Sequence, residues 1–272
     1  MQLSSKISSH LARARHQLGR PLTLGNRNFK LRGYHANRLA TDFTHEPYLL
    51  AVLQRLLSER QGTFIDVGVN LGQTLIKVLS IDASRPYLGL EPQLECSFFV
   101  DQFIRDNELT NAHILPIALS NSNMMMQFFS DGACDELAST IPGRGHFSSW
   151  VPARIGDEVL EELGIANISA LKIDVEGAEL QVLLGLANTL HRTHTPVLFE
   201  VLPNFTGFEK TPIPLIEREQ NSGRAAAIWN FFKDIGYTIA QIDGLGTEIS
   251  IERFELDDAA SFIGYDYIAR FE

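Results

Sequence analysis

Two rhythms alternate along this chain, a helical one and a strand-like one. Apolar residues recur at helical spacing from Tyr48 to Leu57, and a short apolar run at 63–67 then reads as a strand. The pattern repeats: a helix from Gln73 to about Ile81, a strand at 86–91, a helix near Leu94–Asn107 and a strand near His113–Ala118. An apolar segment at Met124–Phe129 follows, then a strand at 169–175, a helix at 177–190 and a strand at Val197–Leu202. A helix around Arg224–Ile235 and strands near Tyr237–Ile242 and Phe262–Arg270 close the chain. Such alternation predicts an α/β core with a mostly parallel sheet and helices on both faces. Residues 130–156 and 203–224 lack either rhythm and read as loops over a site, the first carrying Arg144, His146 and Trp150.

Three segments carry candidate chemistry. In Phe64-Ile-Asp-Val-Gly-Val-Asn-Leu-Gly72 an apolar strand breaks into a glycine-bearing turn before a helix. Gly68 and Gly72 lack a Cβ, so a ligand can approach backbone N–H groups there, and Asp66 puts a carboxylate at a strand's carboxyl end. An ordinary strand-to-helix turn uses the same residue types. In Pro86-Tyr-Leu-Gly-Leu-Glu-Pro92 the next strand ends in Glu91, about twenty residues beyond Gly72, the separation at which an acid meets ribose hydroxyls. A solvent-facing strand end accounts for Glu91 equally well.

The third segment is Ala170-Leu-Lys-Ile-Asp-Val-Glu-Gly-Ala-Glu179. Strand alternation puts Lys172 and Asp174 on one side, with Leu171, Ile173 and Val175 on the other. An unpaired ammonium inside a buried strand costs several kcal/mol, so Lys172 requires a carboxylate and implies a polar cluster. Asp174 also suits a helix N-cap, and Glu176 and Glu179 suit a first helical turn.

Together these segments resemble the FkbM family of S-adenosylmethionine-dependent methyltransferases. The resemblance rests on residues 64–74, on Gly89-Leu-Glu-Pro92, on Ala118-Leu-Ser120 and above all on Lys172-Ile-Asp-Val-Glu-Gly-Ala-Glu179, over roughly residues 60–202. Val69 stands where the family usually has alanine. The resemblance implies a Rossmann-like class I methyltransferase fold: a mostly parallel seven-stranded sheet with helices on both faces and an antiparallel last strand. It implies S-adenosylmethionine as cofactor, with Asp66, Gly68, Asn70 and Gly72 around the methionine portion, Glu91 on the ribose, and Ala118 and Leu119 near the adenine. It also implies a small-molecule or glycan acceptor, methylated on a hydroxyl of a sugar, glycan or secondary metabolite.

Charge divides the chain near Asp42. Residues 1–41 hold eight Lys/Arg and no acid, so of the net −10 the remainder carries −18. Leu3, Ile7, Leu11, Ala14 and Leu18 recur at helical spacing, which predicts a basic amphipathic helix in an N-terminal extension over 1–41, ahead of a methyltransferase domain over 42–272. That helix suits a membrane surface, organelle targeting, an anionic substrate, the acidic body itself or a second subunit. The acidic body repels phosphates and excludes nucleic acid as a partner. With 272 residues and 44% hydrophobic content the chain forms one substantial core, without an apolar run of membrane-spanning length or a secretory h-region. Cys96 and Cys134 are too few for a disulfide framework or zinc site, so a cytoplasmic location is expected.

A sulfonium methyl is already activated, so the protein chiefly aligns it with a nucleophile, and a hydroxyl acceptor also needs a base. Asp174 is the first candidate for base or acceptor-orienting group, Glu176 and Glu200 come next, and Lys172 holds the carboxylates or serves as a plain structural ion pair. Asp174, Glu176, Glu200 and Asn204 could offer hard oxygen ligands to a divalent metal, a reading the spacing does not favour. A nicotinamide-dependent reductase would need Tyr-x-x-x-Lys, which is missing, and a non-catalytic cofactor-binding or scaffold protein would not need Asp66, Glu91 and Asp174 together.

Overall fold

The computed structural model describes residues 20–24, 27–33, 35–42, 46–132, 134–135, 146–201, 215–254 and 265–272. The expected amphipathic helix at residues 3–18 and Asn204 lie outside them.

A hairpin of β1 (Arg20–Leu24) and β2 (Arg27–Leu31) precedes α1 (Ala36–Asp42), α2 (Pro47–Glu59), β3 (Thr63–Val67), α3 (Gln73–Ile81), β4 (Tyr87–Leu90), α4 (Leu94–Asp106) and β5 (Ala112–Leu115). A small sheet follows, with β6 (Ala118–Ser120), β7 (Met124–Ser130) and β8 (Phe147–Ile155) in the order β6-β8-β7. The chain then forms α5 (Gly156–Glu162), β9 (Ile168–Ile173), α6 (Glu179–Gly185), α7 (Ala187–Thr193), β10 (Val197–Glu200), α8 (Leu215–Asp234), β11 (Tyr237–Ile242), β12 (Glu248–Ser250) and β13 (Asp266–Phe271).

The central sheet runs β12-β11-β13-β10-β9-β3-β4-β5. Pairs among β10, β9, β3, β4 and β5 are parallel, whereas β13 lies antiparallel between β10 and β11. This is the class I methyltransferase arrangement, widened from the expected seven strands to eight by β12, antiparallel to β11. The order reverses between β3 and β9, so both of these strands release their chains into one crevice at their carboxyl ends.

Period-two alternation sorts the sheet's side chains into two cores. Phe64, Tyr87, Ala170 and Leu198 pack with α2, α3 and α4, while Ile65, Leu88, Leu171, Ile173 and Phe199 pack with α5 to α8. Lys172 therefore faces the α2/α3 side, opposite Leu171, Ile173 and Val175, as the alternation predicts.

Other parts differ from expectation. Within the segment read as a basic extension, Leu22, Phe29, Leu31 and Leu39 are buried in the α2–α4 core, with Phe29 and Phe103 rings 5.7 Å apart. Asn107 locks the hairpin edge, accepting from the Lys30 N–H at 2.7 Å and donating to its carbonyl at 2.9 Å. The loop expected over 130–156 contains β8, paired with both β6 and β7, and the one expected over 203–224 gives way to α8 from Leu215. The helix expected over 177–190 is two helices, broken at Leu186.

Candidate active site

The crevice begins at Asp66, fully buried near the carboxyl end of β3. Its Oδ2 accepts the Tyr87 hydroxyl from β4, while Oδ1 is buried and has no hydrogen-bond partner among the described residues. Burial pushes the Asp66 carboxyl up to about 6, against the pull of Lys172 and of the Tyr87 hydrogen bond. Just beyond, Gly68 takes φ +89°, and a Cβ there would sit 1.8 Å from the Asp174 carbonyl oxygen. Only glycine lets the turn after β3 run this close to the chain leaving β9. The Gly68 N–H donates to the Leu90 carbonyl at 2.9 Å and the Asp174 N–H to the Val67 carbonyl at 2.9 Å, so three strand ends are tied together.

Glu91 closes the opposite side. Its Oε2 accepts the Asn70 N–H at 2.8 Å and its Oε1 the Gln93 N–H at 2.8 Å, which bridges the turns after β3 and β4. Burial raises the Glu91 carboxyl to about 7, offset in part by those two donors. Each carboxylate oxygen keeps a second lone pair, so Glu91 can still accept from a diol. Asn70, at φ +49°, leaves its buried Oδ1 without a partner among the described residues. Gly72, at φ +92°, precedes the first turn of α3 and donates its N–H to the Val69 carbonyl. Ala118 and Leu119 lie in β6 with buried side chains, Ala118 against Phe128, Val151 and Ala153 and Leu119 in the α5–α8 core.

The polar cluster that Lys172 demanded is present. Its ammonium sits 2.7 Å from Asp174 Oδ2, and although burial works to lower the Lys172 pKa, Asp174, Asp66 and Glu46 outweigh it and raise it. From β10, Glu200 points into the same region, and carboxylate oxygens of Asp174, Glu176 and Glu200 lie within 4.8 Å of one another. Burial, reinforced by Asp174 and Asp266, pushes Glu200 well above the usual carboxylate range. Glu179, by contrast, accepts the Gly177 N–H at 2.8 Å, the first-turn acid that helix electrostatics favours.

Several members of the cluster escape sequence reasoning. Tyr48 donates to Asp266, which pairs with Glu200 across β10 and β13 and is raised by burial to about 6. Lys77, buried on α3, lies 3.8 Å from Glu46. An acid between Tyr265 and Tyr267 and a lysine inside Leu75-Ile-Lys-Val-Leu79 were the available signals, since charges in apolar runs need partners.

The methyltransferase FkbM domain matches residues 66–239, more than half of the 272-residue chain. The chain belongs to the methyltransferase FkbM family. No curated protein sequence matches it. Among solved structures it is similar to the methyltransferase FkbM from Methylobacillus flagellatus KT, at 12% identity and TM-score 0.49, over 78% of this chain. The chain spans 44% of the length of that protein. It is also similar to the Bacillus cereus O-methyltransferase in complex with SAH (12% identity, 83% of this chain, 81% of that one, TM-score 0.44). A third is the precorrin-6y C5,15-methyltransferase of Geobacter metallireducens GS-15 (10% identity, 82% of this chain, 88% of that one, TM-score 0.41). This FkbM-family chain keeps Asp66, Glu91 and Asp174 around one crevice, and no described helix is long and apolar enough to cross a membrane.

Proposed function

We propose that this FkbM-family chain is an S-adenosylmethionine-dependent O-methyltransferase acting on a hydroxyl of a sugar, glycan or secondary metabolite. The supporting observation is a pair of buried acceptors, Asp66 Oδ1 and Asn70 Oδ1, that have no partner among the described residues, beside a turn that only Gly68 allows. Buried acceptors are almost always satisfied, so two without partners fit a ligand that brings donors, as an amino-acid ammonium does. Asp66 and Asn70 would hold that end and Glu91 the ribose diol. When bound, S-adenosylmethionine supplies an activated methyl group.

The residues beyond it divide the remaining work. Lys172 fixes Asp174 by a 2.7 Å ion pair, which suits Asp174 to orienting the acceptor hydroxyl. Among the described residues no cation pairs with Glu200, and its position among Asp174 and Glu176, with a basicity raised by burial, suits it to taking the hydroxyl proton. Glu176 completes the acidic rim, and this set of hard oxygens would also accept a divalent cation. Free, buried Cys96 and Cys134 support a reducing, cytoplasmic setting.

The test is twofold. S-adenosylmethionine should raise the melting temperature of the wild type and not of Glu91→Ala, and a labelled methyl should pass to at least one hydroxylated acceptor in a panel. A wild-type melting curve unmoved by millimolar cofactor would overturn the reading.

A further inference from the structure

Tyr87 has no assigned part in this pocket, yet its placement is unusual. The ring is buried on β4, stacked on Phe64 with centroids 6.0 Å apart and planes 12° apart. Its hydroxyl reaches one acceptor, Asp66 Oδ2. A buried tyrosine hydroxyl needs a partner, but a neutral acceptor would serve with far less desolvation than a fully buried carboxylate. Nor does satisfying Tyr87 explain why the other oxygen of that carboxylate stays unused. Burial raises the Asp66 carboxyl, but Lys172 from β9, the Tyr87 hydrogen bond and Lys77 from α3 all pull toward the charged form, the form that a ligand's ammonium would meet.

We propose that Tyr87 is a positioning residue of the cofactor pocket: by donating to Oδ2 of Asp66 it fixes the carboxylate and leaves Oδ1 as the oxygen that receives the ligand's ammonium. The inference rests on the cofactor reading above and deepens it. Phe64 holds the ring, the ring holds the hydroxyl, and the hydroxyl sets the carboxylate's rotation about its χ2. Without the hydroxyl, Asp66 could turn toward Lys172 and share both oxygens with it.

Tyr87→Phe retains the ring and removes only the hydroxyl. Calorimetry should show S-adenosylmethionine and S-adenosylhomocysteine, which carry the ammonium, bound about tenfold more weakly, the loss of one charge-assisted hydrogen-bond arrangement. Binding of 5′-methylthioadenosine, which lacks the amino-acid end, should not change. Equal weakening of all three ligands, or of none, overturns the inference. Should Tyr87→Phe not fold, Asp66→Asn reads the same split, and an unaltered ratio of affinities there overturns it too. Wild-type protein that binds none of the three overturns the cofactor reading and this inference with it, whereas wild-type binding with an unselective variant overturns the inference alone.

Discussion

Asp66 and Asp174 stand at the carboxyl ends of neighbouring parallel strands, yet the first is fully buried while 37% of the second's side chain is exposed. Around Asp66 and Glu91 the chain is tied by backbone hydrogen bonds: Asn70 and Gln93 to Glu91, Gly68 to Leu90. Beyond the Asp174 N–H bond to Val67, the ties around Asp174 are between side chains, with Lys172 holding one acid and Glu200 set among others. A pocket wall made of main chain tolerates few changes and suits a ligand that never varies. A wall made of side chains can be re-specified by substitution, as the acceptor site proposed there would need to be.

The sharpest way to break that contrast is Glu200→Gln, expected to lower turnover by about 10²–10⁴-fold through loss of a general base while the cofactor dissociation constant stays fixed. Single-turnover rates and calorimetry separate the two. Asp174→Asn should cost less, about tenfold to a hundredfold, because an amide can still orient a hydroxyl. If either variant bound cofactor poorly instead, the division between the two ends would be wrong.

On the buried side, Gly89 and Val69 are predicted to be coupled. Val69 Cγ2 lies 2.7 Å from where a Cβ on residue 89 would sit. Gly89→Ala should therefore destabilise by about 1–3 kcal/mol through overpacking, and Val69→Ala should relieve most of it. Denaturant midpoints of the two single variants and the double would show additive losses if the residues were independent.

The same acids give a pH signature whose sign is fixed by their raised values. Asp66 and Asp266 at about 6 and Glu91 at about 7 all lie above an unfolded value of about 4. Each contributes stability that is complete below about pH 4 and lost as the pH rises through its folded pKa. The ligand-free protein should thus melt a few degrees higher near pH 5 than near pH 8, and cofactor affinity should run the other way, since Asp66 and Glu91 bind donors best when ionised. Parallel trends in both would count against placing these acids in the pocket. The smallest effect is expected from a chelator, which should alter turnover by less than about twofold; a large loss would show that Asp174, Glu176 and Glu200 hold a cation.

Much of the central architecture was legible in the sequence because its signals are local. The bounds of β3, α3 and β11 coincide with the periodic segments, and the lysine within β9 announced its cluster. What stayed hidden depends on tertiary placement. The β1–β2 hairpin carries Leu22, Leu24, Phe29 and Leu31 in alternation about Gly25-Asn26, a usable turn signal masked by the arm's cationic composition. β8 reads as a loop because Pro152 and its exposed Ser148, Ser149 and Trp150 lack an apolar rhythm until paired with β7. Tyr87 carries no signal of its own in the sequence, since only the register of β3 on β4 brings it to Asp66. Val69, the departure from the family's usual alanine, finds room because residue 89 is glycine.

Phe29 and Leu31 are wedged beside α4, the same helix whose Ser97 hydroxyl reaches the Glu91 carbonyl at 2.5 Å. Anyone trimming this chain to a minimal folded domain should therefore begin no later than Arg20. Cutting at the apparent composition boundary would strip the greasy underside from the support on which Glu91 rests.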